Sequence, residues 1–370
     1  MTSPARNHAS TRSVLVVDDS AFMRKLISEM IAGLPQFRVA GTARDGLDAL
    51  AQIEKTNPDI VTLDLQMPKL DGLEVLRRIM IEAPRAVVVL SAGGEQFGDA
   101  TFRALELGAV DFVRKPSGPI SLDLETVRQR LVNALEAAAS ATVALRSAPG
   151  PGVVAMPIPE RTEPTAKAAR QVVVIASSTG GPRALAEIVP LLPHSIAAAI
   201  VIAQHIPGEF TPALAQRLDR ASAMAVREAQ DGERLLEGVV YVARGGMNTA
   251  IDGVPGFATL SVRAAAARVG ATPSADILFE SAARVFGAGC TGVVLTGMGR
   301  DGASGLRMIR SGGGRALIQD QASSAIYGMP RAALAEAGAD VVAPVSAMAD
   351  AIIAAVSRAV SGDRVEWLTA

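Results

Sequence analysis

Cysteine occurs once in the 370 residues, at Cys290. A single thiol closes no internal disulfide, and no thiol cluster is present to build a zinc cage. Aromatic residues make up 3% of the chain and histidines number three, so each histidine can be weighed singly. Charge of one sign is also missing: 36 Lys and Arg stand against 37 Asp and Glu, a formal net charge of -1. That balance argues against a dedicated nucleic-acid binder, which needs a basic face to displace counterions from phosphates. The longest apolar run, Ile196–Ala203, has the length of a buried strand and falls well short of the about 20 residues of a membrane span. The N-terminal stretch Met1–Arg12 is polar and carries Pro4, and the apolar Val14–Val17 behind it is too short for a signal-peptide core. These absences predict a soluble, cytoplasmic protein that neither inserts into a membrane nor binds nucleic acid.

With 49% hydrophobic and 20% charged residues, the chain has material for roughly two to three domains with ordinary cores. Punctuation is densest between Ala148 and Ala169, where Pro149, Pro151, Pro157, Pro159 and Pro164 crowd together. Such a segment lacks backbone donors and favours an extended, semi-rigid tether. A helical pattern from Leu124 to Leu145 leads into it. The domains are therefore expected at 12–138 and 170–362, with a linker at 139–169.

On both sides, short β-branched runs alternate with amphipathic helical patterns, the signature of parallel α/β sheets. The N-terminal runs are Ser13–Val17, Arg38–Ala43, Ile60–Leu63, Ala86–Leu90 and Asp111–Val113. The C-terminal ones include Val172–Ala176, Ile200–Ala203, Val239–Val242, Gly292–Leu295, Ala316–Ile318 and Val341–Val342. Asp252-Gly253, between Thr249–Ile251 and Phe257–Val262, reads as a hairpin turn. The expected fold class is α/β, with two doubly wound parallel-sheet domains joined by the Pro-rich linker.

In open parallel sheets, functional groups collect past the carboxyl ends of strands. On the N-terminal side those positions hold Asp18 and Asp19, then Asp64, then Ser91, then Lys115 before Pro116. Three carboxylates at one edge repel unless a divalent cation sits among them, and Mg²⁺ suits an all-oxygen set. A nearby ammonium and hydroxyl would hold a phosphoryl group, which suggests phosphoryl transfer onto a carboxylate. An isolated acidic residue at a strand end is often only a helix cap; the registered set of five is far more specific.

Val16-Val17-Asp18-Asp19-Ser20, Asp64-Leu65-Gln66-Met67-Pro68 with Asp71-Gly72, Leu90-Ser91-Ala92 and Arg114-Lys115-Pro116 resemble a response-regulator receiver domain, over about the first 120 residues. The resemblance implies a flavodoxin-like fold with Asp64 as phosphoacceptor. It implies Asp19 as a direct Mg²⁺ ligand, Asp18 acting through water, and the Gln66 carbonyl as a further metal oxygen. Ser91 would hydrogen-bond the phosphoryl group, Lys115 would pair with its charge, and Phe112 would reorient with it.

On the C-terminal side, Gln171–Ala176 ends in Ser177-Ser178-Thr179-Gly180-Gly181-Pro182, followed by the helical pattern Arg183–Leu191. A strand, small-residue turn and helix gather backbone N–H groups and a positive dipole end at one point. The lysine of a P-loop is absent, so a serine nucleophile with its oxyanion site is the other use of this turn. Of the histidines, His8 lies in the N-terminal arm and His194 in a loop, while His205 comes directly after a strand, in Gln204-His205-Ile206-Pro207. An orienting acid at a third strand end is Asp301, in Thr296-Gly297-Met298-Gly299-Arg300-Asp301-Gly302. A serine, a base and an orienting acid form a triad whatever their chain order. Unaided, such a serine turn and such a histidine are more often plain loop features.

A second resemblance covers Gln171 to about Ala359. Ala176–Pro182, Gln204–Pro207, Pro273-Ser274-Ala275-Asp276-Ile277-Leu278-Phe279 and Leu295–Gly302 are similar to the protein-glutamate methylesterases of bacterial chemotaxis, the CheB family, which also carries an N-terminal receiver. It implies a Rossmann-like domain with Ser178 as nucleophile, His205 as general base and then acid, and Asp301 orienting His205. Thr179 and Met298 would lie beside the reacting carbonyl, the Met298 N–H facing the oxyanion. The implied partners are methylated chemoreceptors as substrate and a chemotaxis histidine kinase as phosphodonor, with Mg²⁺ for receiver phosphorylation and no cofactor for ester hydrolysis. Hydrolysis of receptor glutamine side chains, a monomeric state, and a receiver that covers the esterase cleft until Asp64 is phosphorylated are implied as well.

The sequence departs from that family at Arg244-Gly245-Gly246-Met247-Asn248, where Pro before the glycines and His after them are common, and at Ala271-Thr272. Both departures fall on the expected substrate groove. Cys290 reads as buried and inert, Ser274 and Asp276 as helix-start residues with a substrate-edge role as the alternative, the methionines as core filler, and Trp367 as a frayed end. Two rival readings are a non-catalytic regulator whose second domain only binds a partner, and an esterase or amidase acting outside chemotaxis.

Overall fold

The computed structural model describes residues 11–92, 95–116, 124–141, 167–264 and 271–361. The Pro-rich segment, His8 and Trp367 lie outside the described residues. The chain divides into two compact units, Met1–Gly93 with Ala100–Val153, and Gly94–Asp99 with Val154–Ala370.

Up to Ser140 the chain alternates β1 (Arg12–Val17), α1 (Ala21–Ala32), β2 (Phe37–Ala43), α2 (Gly46–Thr56), β3 (Ile60–Asp64), α3 (Gly72–Glu82), β4 (Ala86–Ser91), α4 (Glu95–Leu107), β5 (Asp111–Arg114) and α5 (Leu124–Ser140). Val14 to Val17 and Val87 to Leu90 are completely buried, as in sheets covered on both faces. All pairings are parallel, in the order β2-β1-β3-β4-β5. The chain leaves β1 to one side for β2 and to the other for β3, so the carboxyl ends of β1 and β3 flank a topological switch point. Ser20 caps α1 by accepting from the Met23 N–H, so the helix starts directly behind Asp18 and Asp19 and keeps both at the sheet edge.

The second unit contains β6 (Val172–Ser177), α6 (Gly181–Ile188), β7 (Ala199–Gln204), α7 (Thr211–Ala221), β8 (Ala225–Glu228), β9 (Val239–Val242), β10 (Met247–Asp252), β11 (Thr259–Ala264), α8 (Ala275–Phe286), β12 (Cys290–Val294), α9 (Ala303–Ser311), β13 (Arg315–Gln319), α10 (Met329–Ala337), β14 (Val341–Ala343) and α11 (Val345–Ser361). Its sheet is parallel throughout, ordered β14-β13-β12-β6-β7-β9-β8. β6 is central: later strands extend to one edge through β7 and to the other through β12, which puts the switch point at its carboxyl end. Leu278, Phe279 and Ala282 of α8 join Val174, Ala176 and Val294 of the sheet in one core cluster with Ile251 and Leu260 of the β10–β11 hairpin.

Several local expectations need correction. The helix expected through Leu145 stops at Ser140, with Ala141 already non-helical and residues 142–150 outside the described set. The Arg183–Leu191 pattern is an α-helix only to Ile188, and Val189–Leu191 tighten into a 3₁₀ turn around Pro190. The hairpin expected around Asp252-Gly253 is present: β10 and β11 pair antiparallel out to Asp252 opposite Thr259, and Gly253 at φ +101° opens the loop between them. β8 was not anticipated. Among the described residues, no helix is long and apolar enough to cross a membrane.

Candidate active site

Ser177 ends β6 fully buried, and its hydroxyl donates to Gln204 Oε1 at 2.6 Å. The Gln204 amide donates to the Ser178 carbonyl at 2.9 Å. Ser177 is thus committed to structure, and Ser178 stands half-buried at the turn, its hydroxyl without a hydrogen bond among the described residues. Two backbone bonds fix that turn, Ser178 N–H to Thr296 O at 3.0 Å and Gly181 N–H to Ser178 O at 2.8 Å. Gly180 makes the corner with φ +78°, a conformation costly for residues with a Cβ. A Cβ on Gly297 would lie 2.7 Å from Ser178 Cβ and 2.5 Å from Met329 Sδ, so only glycine lets the loop after β12 lie against the serine.

His205 follows β7, and its N–H donates to Ser177 O at 3.0 Å, which ties it to the end of β6. Its imidazole is buried, with Nε2 2.9 Å from Asp301 Oδ2. Asp301 also accepts from the backbone N–H groups of Ala275 at 2.7 Å and Asp276 at 3.0 Å, and from the Ser274 hydroxyl at 3.2 Å. Burial alone would raise its carboxyl; His205 and the two α8 N–H groups outweigh that and hold it below the ordinary carboxylate range. An ionised Asp301 only accepts, so the proton rests on His205 Nε2 and Nδ1 carries the lone pair that can take a proton.

The loop after β12 is braced from three sides. The Leu295 N–H reaches Ala176 O at 2.9 Å, the Thr296 N–H reaches Gln319 Oε1 at 2.8 Å, and the Thr296 hydroxyl donates to Thr179 O at 3.0 Å. This bracing presents Met298 at the surface, 37% exposed, with a backbone N–H that makes no hydrogen bond among the described residues. Thr179 is buried. Of the departing positions, Arg244 pairs with Glu228 at 3.6 Å, and burial pushes the Glu228 carboxyl up. Asn248 accepts from the Ser274 N–H at 2.9 Å, and Ala271 is exposed. Cys290 is fully buried, and burial pushes its thiol far up, out of nucleophilic range.

In the first unit, carboxylate oxygens of Asp18, Asp19 and Asp64 lie within 4.8 Å of one another. Lys115 Nζ stands 2.7 Å from both Asp18 Oδ2 and Asp64 Oδ2. Burial raises the Asp64 carboxyl; Lys115 pulls it back only in part, and the charge on Asp18 adds to the rise. Burial would lower the Lys115 ammonium, but its bonds to Asp18 and Asp64 outweigh this and hold it above its ordinary value. Asp64 Oδ1 accepts from the Gln66 N–H at 3.1 Å. Buried Ser91 accepts from the Thr101 hydroxyl at 2.9 Å, and the Lys115 N–H donates to Ser91 O at 2.7 Å. Phe112 is buried and packs edge-on against Phe102, at 6.2 Å between centroids and 74° between planes. Three carboxylates facing one ammonium leave excess negative charge on an all-oxygen donor set, which fits a small, hard divalent cation.

Residue-by-residue reading missed the supporting groups. Gln204 and Thr296 stood inside quoted motifs without a role, although a polar residue ending a fully buried strand is itself a signal. Gln319, the buried last residue of β13, gives the same signal, and Thr101 carries no local pattern.

A family model described as CheB methylesterase matches residues 173–352, and one described as response regulator receiver domain matches 14–142. The chain is 43% identical over 355 residues to the protein-glutamate methylesterase/protein-glutamine glutaminase of Symbiobacterium thermophilum, covering 93% of this chain and 96% of that one. It is 41% identical over 352 residues to the protein of the same name from Geobacillus kaustophilus, covering 93% and 98%. The crystal structure of the Thermotoga maritima CheB methylesterase catalytic domain aligns with a TM-score of 0.48 at 36% identity, over 50% of this chain and 97% of that one. With the match to these relatives running through both units, the chain belongs to the protein-glutamate methylesterase/protein-glutamine glutaminase family.

Proposed function

We propose that the chain is a phosphorylation-activated hydrolase that removes the methyl group from glutamate γ-methyl esters of chemotaxis receptors and deamidates their glutamine side chains. The domains are read as a receiver at 12–138, a linker at 139–169 and a catalytic domain at 170–362. The observation that carries the reading is the His205–Asp301 contact of 2.9 Å at the sheet edge where the half-buried Ser178 closes its turn.

His205 Nδ1 takes the hydroxyl proton as Ser178 Oγ attacks the ester carbonyl. The carbonyl oxygen becomes an oxyanion, which the Met298 N–H faces, with Thr179 beside it. Asp301 holds the ring in one tautomer and balances the imidazolium charge. His205 then returns the proton to the departing alkoxide, the C–O bond breaks and methanol leaves. Water, deprotonated by the same nitrogen, attacks the acyl-serine; glutamate is released and Ser178 recovers its proton. With a glutamine side chain the leaving group is ammonia and the other steps are the same.

In the receiver, a carboxylate oxygen of Asp64 attacks phosphorus in a histidine kinase's phosphoryl group, and the nitrogen–phosphorus bond breaks. Asp19, Asp64 and the Gln66 carbonyl would hold Mg²⁺ with Asp18 through water; bound, it neutralises the gathering oxygen charge. Lys115 and Ser91 then hold the new aspartyl phosphate, and Phe112 shifts with it, which biases the chain towards its active form. Mass spectrometry of receptor membranes incubated with the chain tests the hydrolysis. Loss of methyl from glutamyl sites and conversion of glutamine to glutamate, both abolished by Ser178→Ala, is the expected result. Unchanged receptors would overturn it.

A further inference from the structure

The carboxylate that orients His205 is itself held by the start of a helix. Asp301 Oδ2 accepts from the Ala275 N–H at 2.7 Å, and Oδ1 from the Asp276 N–H at 3.0 Å and the Ser274 hydroxyl at 3.2 Å. These donors come from the cap and first two residues of α8. Their placement depends on where the cap sits, and one side chain from another element fixes that: Asn248 at the start of β10, whose Oδ1 accepts the Ser274 N–H at 2.9 Å. The Ser274 hydroxyl in turn accepts from the Ile277 N–H and keeps the helix capped.

We propose that Asn248 and Ser274 are positioning residues of the hydrolytic reaction, linking the β10–β11 hairpin through the α8 cap to Asp301 and so to the His205 ring. The proposal deepens the methylesterase reading and rests on it for the reaction concerned. Asn248 sets the cap, the cap aims three donors at Asp301, and Asp301 has one direction left for His205 Nε2. The donors also disperse carboxylate charge, which limits how strongly Asp301 favours the imidazolium. Other charged groups around this corner are already engaged. Asp276 Oδ1 accepts the Gly305 N–H at 2.7 Å, and Arg300 is drawn to Glu336 at 2.7 Å.

The test uses the full chain with Asn248→Ala, Asn248→Asp, Ser274→Gly and Ser274→Thr. Glycine keeps the cap conformation without the hydroxyl, so it separates the clamp from helix stability. Three quantities are read: kcat and KM for methanol release from methylated receptor membranes, and the His205 titration followed by NMR. With only three histidines in the chain, His205→Gln assigns the signal. Asn248→Ala and Ser274→Gly should lower kcat about tenfold or more with KM nearly unchanged. The His205 titration should move upward in both, because a less solvated Asp301 pulls harder on the imidazolium. Asn248→Asp and Ser274→Thr, which keep the acceptor and the hydroxyl, should restore kcat. Wild-type kcat and an unmoved titration in folded Asn248→Ala and Ser274→Gly would overturn the proposal, as would a loss of thermal stability alone. If the wild-type chain releases no methanol, the functional reading fails, and the His205 titration still decides the linkage by itself.

Discussion

The Ser177 hydroxyl donates to Gln204 Oε1 at 2.6 Å, and Gln204 donates back to the Ser178 carbonyl at 2.9 Å. Two adjacent serines therefore have different duties, one bracing the turn and the other presented by it. Ser178→Ala should abolish hydrolysis and leave the melting temperature near that of the wild type. Ser177→Ala leaves a buried acceptor unpaired, which costs about 1–3 kcal/mol, and should retain measurable hydrolysis. Urea unfolding and methanol release on both variants check the division.

Asp301→Asn should lower kcat about a thousandfold or more with KM little changed, because the amide can donate to the imidazole and favour the wrong tautomer. Steady-state kinetics on receptor membranes read this directly. A loss of less than tenfold would mean that Asp301 does not orient the base.

Asp64 is almost fully buried, and burial holds its carboxyl above the ordinary range. Between the unfolded and folded values the native state keeps a proton that the unfolded chain has released, so stability falls as pH rises through that window and stays lower above it. Asp64→Asn leaves Asp18 and Lys115 as a matched pair. It should stabilise the first unit by on the order of 1 kcal/mol at pH 7. The gain should vanish well below an ordinary carboxylate pKa of about 3.9. Thermal melts of both chains across pH test the sign.

Mg²⁺ should raise the melting temperature of the wild-type chain, since a ligand that binds only the folded state adds about 2.7 kcal/mol at a free concentration of 100 times its Kd. Asp19→Asn, which removes an exposed oxygen ligand from the cluster, should shrink that shift, and a chelator should reverse it. Calorimetric melts with and without the cation provide the measurement.

Both parallel sheets and the strand-end residues were legible in the sequence because buried parallel strands are short apolar runs and their termini are marked by Asp, Ser and Gly. What was missed follows from weaker signals. β8, Ala225–Glu228, is four residues at the sheet edge, two apolar followed by two charged, too short and too irregular a pattern to stand out. The β10–β11 hairpin, by contrast, was legible from Asp252-Gly253 between two short runs, and the register places Asp252 opposite Thr259. Asn248, Ser274 and Asp301 lie far apart in the chain, and no local periodicity reports that a β10 side chain reaches the cap of α8. The motifs point to Ser178, His205 and Asp301; the burial of Ser177 and the clamp on Asp301 exist only in the folded chain.

The central claim is hydrolysis controlled by phosphorylation, and methanol release from methylated chemoreceptor membranes tests it most directly. Wild type, Asp64→Asn and Ser178→Ala would be compared with and without a small phosphodonor and Mg²⁺. The account predicts release that rises with phosphodonor in the wild type, stays at its basal level in Asp64→Asn, and is absent in Ser178→Ala. Release that is indifferent to phosphodonor, or that persists without Ser178, would contradict it.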